Sequence, residues 1–395
     1  MTGGLTARAI TIGITGAIAG AIAGASAIGC LAAAPPTAGR AGMAEQRGQA
    51  FRQHLDAGMA ALKAGTFAAA ERRFAAAAEL EPRAPEPRLL AAVAAERQFH
   101  HGAAAAWLRG AVAEAPWRAD ARAMLVSVLL RADKLAEAAA ELGALRAHGG
   151  ADERLLIELQ AAVHFRAHRY DQAVAEFSRL LARRADDPVG LCGFGVVRAV
   201  AGDLAGAESA LARARAAAPT LALADYNLAL VHYYAGRFDQ AARASEDALR
   251  KDPSFLPAMT NLAASYLKLG RGAAAELVLQ RALAQAGAYA PALANLGVLA
   301  YDRGRFDEAA RMLGEAVRLA PRTSSIHYNL GVLAYRQGRF PEAAREFGEA
   351  LRLDPKNADA ARNQRWIQDL MGGAKGGVDL PRPQAKLVVG EFSSS

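Results

Sequence analysis

Five asparagines recur at a constant interval: Asn227, Asn261, Asn295, Asn329 and Asn363 lie 34 residues apart. A carboxamide carries both a donor and an acceptor, so a row of them can pair with successive peptide groups of an extended chain, whatever its side chains. Tyrosines accompany them, with Tyr226 and Tyr328 one residue before an asparagine and Tyr233, Tyr301 and Tyr335 six residues after one. Trp366 follows Asn363 by three residues. Rings with a polar tip supply large contact area at low entropy cost, a composition enriched where proteins meet.

Other residues hint at chemistry and then fail its requirements. His164 and His168 are four apart, the spacing of a zinc pair on one helix face, but no Glu follows the first His. They fall at a packing position and a helix end, so structural or solvent roles are expected, as for His100 and His101 at an inter-helix turn. Gly193-Phe194-Gly195 starts like a dinucleotide loop, yet the sixth residue is Arg198 and no strand precedes it. No nucleophile elbow, phosphate loop or appended catalytic domain is present, so neither an enzyme nor a cofactor or metal site is expected. The two cysteines, Cys30 and Cys192, form no disulfide framework and no CxxC pair.

What must position these residues is a repeated unit. Ser324–Asn357 serves as its template, and the same pattern begins at residues 51, 85, 119, 154, 188, 222, 256, 290 and 324, with Glu153 as the single inserted residue. The twentieth position is alanine in all nine units: Ala70, Ala104, Ala138, Ala173, Ala207, Ala241, Ala275, Ala309 and Ala343. Such a position suits the crossing of two antiparallel helices, where a larger side chain would force them apart. The eighth position is small in every unit except at Val126. Pro82, Pro116, Pro219, Pro253, Pro321 and Pro355 close their units, because proline cannot continue a helix. The units at 85–187 fit least well, and Gly149-Gly150 beside the insertion predicts a local irregularity or hinge.

This period, with its order of small, aromatic and Pro positions, resembles the tetratricopeptide repeat (TPR) family. The resemblance implies an all-α, right-handed solenoid of nine helix-turn-helix repeats, at 51–84, 85–118, 119–152, 154–187, 188–221, 222–255, 256–289, 290–323 and 324–357. A capping helix is expected at 358–371, because Gln364 and Arg365 replace apolar and small residues on what would be a water-facing end. The resemblance also implies that positions 2, 5, 6, 9, 12 and 13 of each repeat line a groove. It thereby makes Asn227, Asn261, Asn295, Asn329, Asn363, Tyr226, Tyr233, Tyr301, Tyr328 and Tyr335 candidate protein-binding residues. Asn at the sixth position also serves local helix packing in TPR units generally, so the two roles compete. Positions 5 and 9 lack the basic residues of the family's carboxylate clamp. In another stretch Val189, Cys192, Val196 and Val200 are expected to form an apolar patch for a hydrophobic helix or a second subunit.

The ends of the chain speak to location. Ala9–Gly29 is a run without charge, followed by Cys30. Three readings stand: a lipoprotein signal with lipid on Cys30, because Ala27-Ile28-Gly29-Cys30 resembles a lipobox apart from Ala27; ordinary cleavage after Ala25-Ser26-Ala27; or a retained membrane helix packed through Gly16, Gly20 and Gly24. Each makes residues 1–30 a targeting or anchoring segment and exports the rest, with the periplasmic face of the outer membrane preferred. Residues 31–50 read as a linker and 372–395 as a disordered tail. Although the net charge is +8, the 47 basic residues are interspersed with 39 acidic ones, so no nucleic-acid partner is expected. The expected function is an envelope adaptor for proteins or peptides, with pilus, secretion or outer-membrane assembly as the candidate processes. A self-associating spacer and an accessory subunit presenting substrate to a separate enzyme are the alternatives.

Overall fold

The computed structural model describes residues 41–371, apart from residue 99. Among the described residues there are 19 α-helices and no strand. They form two compact units, 41–217 and 218–371.

The first unit runs α1 (Ala41–Lys63), α2 (Phe67–Leu80), α3 (Glu86–Arg97), α4 (His101–Glu114), α5 (Ala119–Arg131), α6 (Leu135–His148), α7 (Glu153–Arg166), α8 (Tyr170–Arg183), α9 (Pro188–Val200) and α10 (Leu204–Ala217). The second runs α11 (Ala222–Tyr234), α12 (Phe238–Lys251), α13 (Leu256–Lys268), α14 (Gly272–Ala286), α15 (Ala290–Asp302), α16 (Phe306–Leu319), α17 (Ser324–Arg336), α18 (Phe340–Leu353) and α19 (Ala358–Met371). In the second unit the first helices of successive pairs start at residues 222, 256, 290, 324 and 358, and the second helices at 238, 272, 306 and 340. In the first unit the second helices start at 67, 101, 135, 170 and 204, so their interval widens once, between α6 and α8.

The two helices of a pair live in different environments. In α15 every residue from Ala290 to Ala300 is buried, whereas α16 buries only the stripe Ala309, Leu313 and Ala316. α15 is therefore enclosed nearly all round, while α16 is amphipathic and carries the charge. All nine alanines at the twentieth position are 0% exposed, as the close helix crossing requires.

In the described turns inside the pairs one residue is left-handed. Gly65, Gly202, Gly236, Gly270, Gly304 and Gly338 supply it with φ of 73 to 93°, and Asp133 and His168 fill the same place at 60 and 58°. Gly149 and Gly150 also take positive φ, 74 and 80°, after the end of α6. The division between compact units nevertheless falls at 217/218 and not there, because α5 and α6 stay packed on α7 across the Gly-Gly turn. The N-terminal segment with Cys30, and the tail after 371, lie outside the described residues.

Candidate functional site

The asparagine row is enclosed by protein. Asn227, Asn261 and Asn329 are 1% exposed, Asn295 0% and Asn363 4%, so none offers its amide to water. The same holds for Tyr226 and Tyr328, at 0% and 3%. The fate of these groups is clearest at the C-terminal end, where Asn363 Nδ2 of α19 donates to Tyr328 Oη of α17 at 3.2 Å. The Asn261 amide of α13 lies beside the Tyr226 phenol of α11 in the same register. Burial is the main cause pushing both phenols up, Tyr328 to about 12, with the partner amide opposing it. Asn363 thus bonds the capping helix to the repeat before it. The burial of the asparagine row differs from the expected groove-lining ladder because α11, α13, α15 and α17 are covered along most of their length.

The twelfth-position tyrosines are placed otherwise. Tyr233, Tyr301 and Tyr335 are only partly buried. Each leans on the phenylalanine that opens the second helix of its own pair: Tyr233 on Phe238 at 5.2 Å, Tyr301 on Phe306 at 5.7 Å and Tyr335 on Phe340 at 6.0 Å between ring centroids. Tyr335 also meets the part-buried Trp366 of α19 edge-on at 4.6 Å. Arg336 lies over the Phe306 ring, 5.8 Å from its centroid. The end of this unit therefore brings Tyr301, Tyr335, Trp366 and Arg336 onto one part-exposed cluster linked through Phe306 and Phe340. The phenylalanines were missed in the sequence, although their constant distance of five residues after Tyr233, Tyr301 and Tyr335 was the available signal.

In the first unit the expected apolar patch is not on the surface. Cys192 is 0% and Val196 3% exposed, while Val189 and Val200 are partly buried. The reason is the run of small residues along α9: a Cβ on Gly193 would lie 2.3 Å from Phe177 Cζ, and one on Gly195 2.9 Å from Leu211 Cγ. The Gly-x-Gly that began like a nucleotide loop is a close helix contact. His164 Nε2 faces Gln160 Nε2 at 3.1 Å, and His168 Nδ1 faces Tyr170 Oη at 2.8 Å. Among the described residues, no group of three or more His, Cys, Asp or Glu side chains is placed to hold a metal ion.

Buried charge marks both units. Arg154 Nε reaches Glu158 Oε1 at 2.9 Å and Asp187 Oδ1 at 3.3 Å, so one guanidinium serves two buried carboxylates. Burial drives Glu158 up to about 7; Arg154 opposes this and the charges of Asp187 and Asp152 add to it. In the second unit Lys251 of α12 pairs with Asp225, which is 0% exposed. Neither cluster was singled out in the sequence; for Asp225 the signal was a lone carboxylate as the fourth residue of α11.

Comparison with known proteins agrees with this architecture. One tetratricopeptide repeat profile matches residues 55–119 and 295–358, and a second matches 232–297. No curated protein matches the chain. Among solved structures, a chain of the crystal structure of the APC/C hetero-tetramer Cut9–Hcn1 aligns with a TM-score of 0.54 at 15% identity, over 75% of this chain and 58% of that one. The likeness concerns the fold. A thermophilic TPR protein of Thermus thermophilus aligns at 25% identity over 44% of this chain and 95% of its own, with a TM-score of 0.40. The profile matches, the 34-residue recurrence of helix pairs and the absence of strands among the described residues together identify an all-α solenoid of tetratricopeptide repeats.

Proposed function

We propose that this chain is a protein-binding scaffold of a bacterial cell envelope, holding an extended peptide or a partner helix against the part-exposed aromatics of its C-terminal repeats. Tetratricopeptide repeats are in general non-catalytic scaffolds for protein–protein interaction, which supports the class. The observation that carries the proposed site is the Tyr335–Trp366 pair, edge-on at 4.6 Å and part-exposed, with Tyr301 and Arg336 beside it. Tryptophan, tyrosine and arginine are the residues most enriched at binding hot spots. Asn363, bonded to Tyr328, acts as a positioning group that holds α19 in register with α17.

The envelope part of the proposal is supported by the uncharged run 9–29 and by Cys30. Among the described residues no helix is long and apolar enough to cross a membrane, so anchoring would rest on that N-terminal segment. Two experiments test the whole. A photo-crosslinking residue placed at Tyr301 of the full chain in native membranes should capture one dominant partner, and the pair Tyr335→Ala, Trp366→Ala should lose it with helicity unchanged. Capture that survives the double substitution would remove the site. Incorporation of labelled fatty acid that vanishes in Cys30→Ser supports the anchor, and an unlabelled wild-type chain refutes it.

A further inference from the structure

The fourth position of the last repeat holds a buried histidine, His327, whose two ring nitrogens both face acceptors. Nδ1 lies 2.8 Å from Glu346 Oε2 on α18, and Nε2 lies 2.8 Å from the carbonyl of Pro321 in the turn before α17. A neutral imidazole has one N–H and one lone pair, so it can satisfy only one of these acceptors; the imidazolium satisfies both. The first unit offers an internal comparison. At the same two positions of the third repeat, Arg122 reaches Glu141 at 2.5 Å, and Arg122 is 8% exposed against 9% for His327. A permanent cation there does the work that the last repeat gives to a residue able to lose its charge.

We propose that His327 is a proton-operated clamp: charged, it ties α17 to α18 and to the preceding turn, and on losing its proton it releases one of those bonds and loosens the last repeat with the helix stacked on it. The surroundings favour the charged form. Burial opposes it, but the Glu346 hydrogen bond, the Pro321 carbonyl and the charges of Glu346 and Glu349 outweigh burial and hold the ring's pKa above the ordinary histidine value. On α18, Arg345 stands 3.8 Å from Glu346 and Arg352 pairs with Glu349. The charged residues of α16 nearest this end in sequence are Glu315 and Arg318, followed by Arg322 in the turn, and α15 carries only Asp302, its last residue. The clamp matters beyond its own pair, because α17 also bears Tyr328, bonded to Asn363, and Tyr335, packed on Trp366. It would operate whether or not those rings meet a partner.

The sign follows from the raised value. The clamp's contribution is complete below the unfolded histidine pKa of about 6.5 and is lost as pH rises through the folded one. In the full chain, amide hydrogen exchange corrected for intrinsic rates should show protection across 324–371 falling between pH 6 and pH 8.5. The fall should be tenfold for each pH unit separating the two pKa values, with a smaller change across 222–286. His327→Arg, which restores the third repeat's pairing, should make protection of 324–371 flat over this range. Should that variant fail to fold, titration of the ring in the unaltered chain by NMR decides. A midpoint above that of an unstructured histidine supports the clamp. A midpoint at or below it, or pH-independent protection in the wild type, overturns it.

Discussion

Gly193→Ala and Gly143→Ala are the same chemical change in the same compact unit, and the structure assigns them opposite signs. Both glycines lie inside helices, α9 and α6, where alanine is favoured over glycine by about 1 kcal/mol. At Gly143 a Cβ meets nothing within 4 Å, so that gain stands alone. At Gly193 the new carbon would lie 2.3, 2.5 and 3.0 Å from three ring atoms of Phe177, when carbons settle at roughly 3.5–4.0 Å. The ring is 1% exposed and belongs to the buried stripe of α8, so it cannot swing into solvent. Overpacking of this kind costs about 1–3 kcal/mol, and the overlap places Gly193 toward the upper end. After the helix gain, Gly193→Ala should be less stable than wild type by about 1–2 kcal/mol, while Gly143→Ala gains about 1 kcal/mol. Because the propensity contribution is common to both, the gap between the variants measures the packing overlap itself. Urea midpoints at constant slope, with thermal scans beside them, read it directly. Equal midpoints would mean that α8 and α9 do not approach this closely, and would refute the packing reasoning for every small residue on the first helices.

Other perturbations probe the polar interior. Glu158, driven up by burial to about 7 against an ordinary value near 4.5, binds its proton more tightly folded than unfolded; stability should rise as pH falls through 7. The full effect is on the order of 3 kcal/mol, and Glu158→Gln should flatten that part of the denaturation midpoint against pH. Lys251→Met takes the paired cation away from Asp225, 0% exposed, and should cost about 3–5 kcal/mol by chemical denaturation. Asn363→Ala removes the donor to the Tyr328 hydroxyl; a loss of about 1–3 kcal/mol, with faster amide exchange in α19 than in α11, is expected. Asn295→Ala with Asn329→Ala should lower the melting temperature while partner capture at Tyr301 survives, the outcome that separates a packing amide from a binding one.

The sequence alone determined the repeated unit and much of its reason. A period counted from Ala70 to Ala343 places one methyl group at every helix crossing, and a rule that depends on volume at one position per unit is written in the order of residues itself. Proline and glycine punctuation sets the turns for the same reason, because φ restrictions are properties of single residues. Which face of each first helix meets water was decided only by tertiary packing. Asn261 and Tyr335 both recur with the period and both look suited to binding a peptide, yet one is enclosed and the other part-exposed. Exposure depends on how closely neighbouring helices approach, and therefore on contacts such as Gly193 with Phe177 that join residues of different repeats. The surroundings of His327 were equally hidden. Periodicity marks its position, but Glu346 and the Pro321 carbonyl reach the ring only once α17 and α18 have packed.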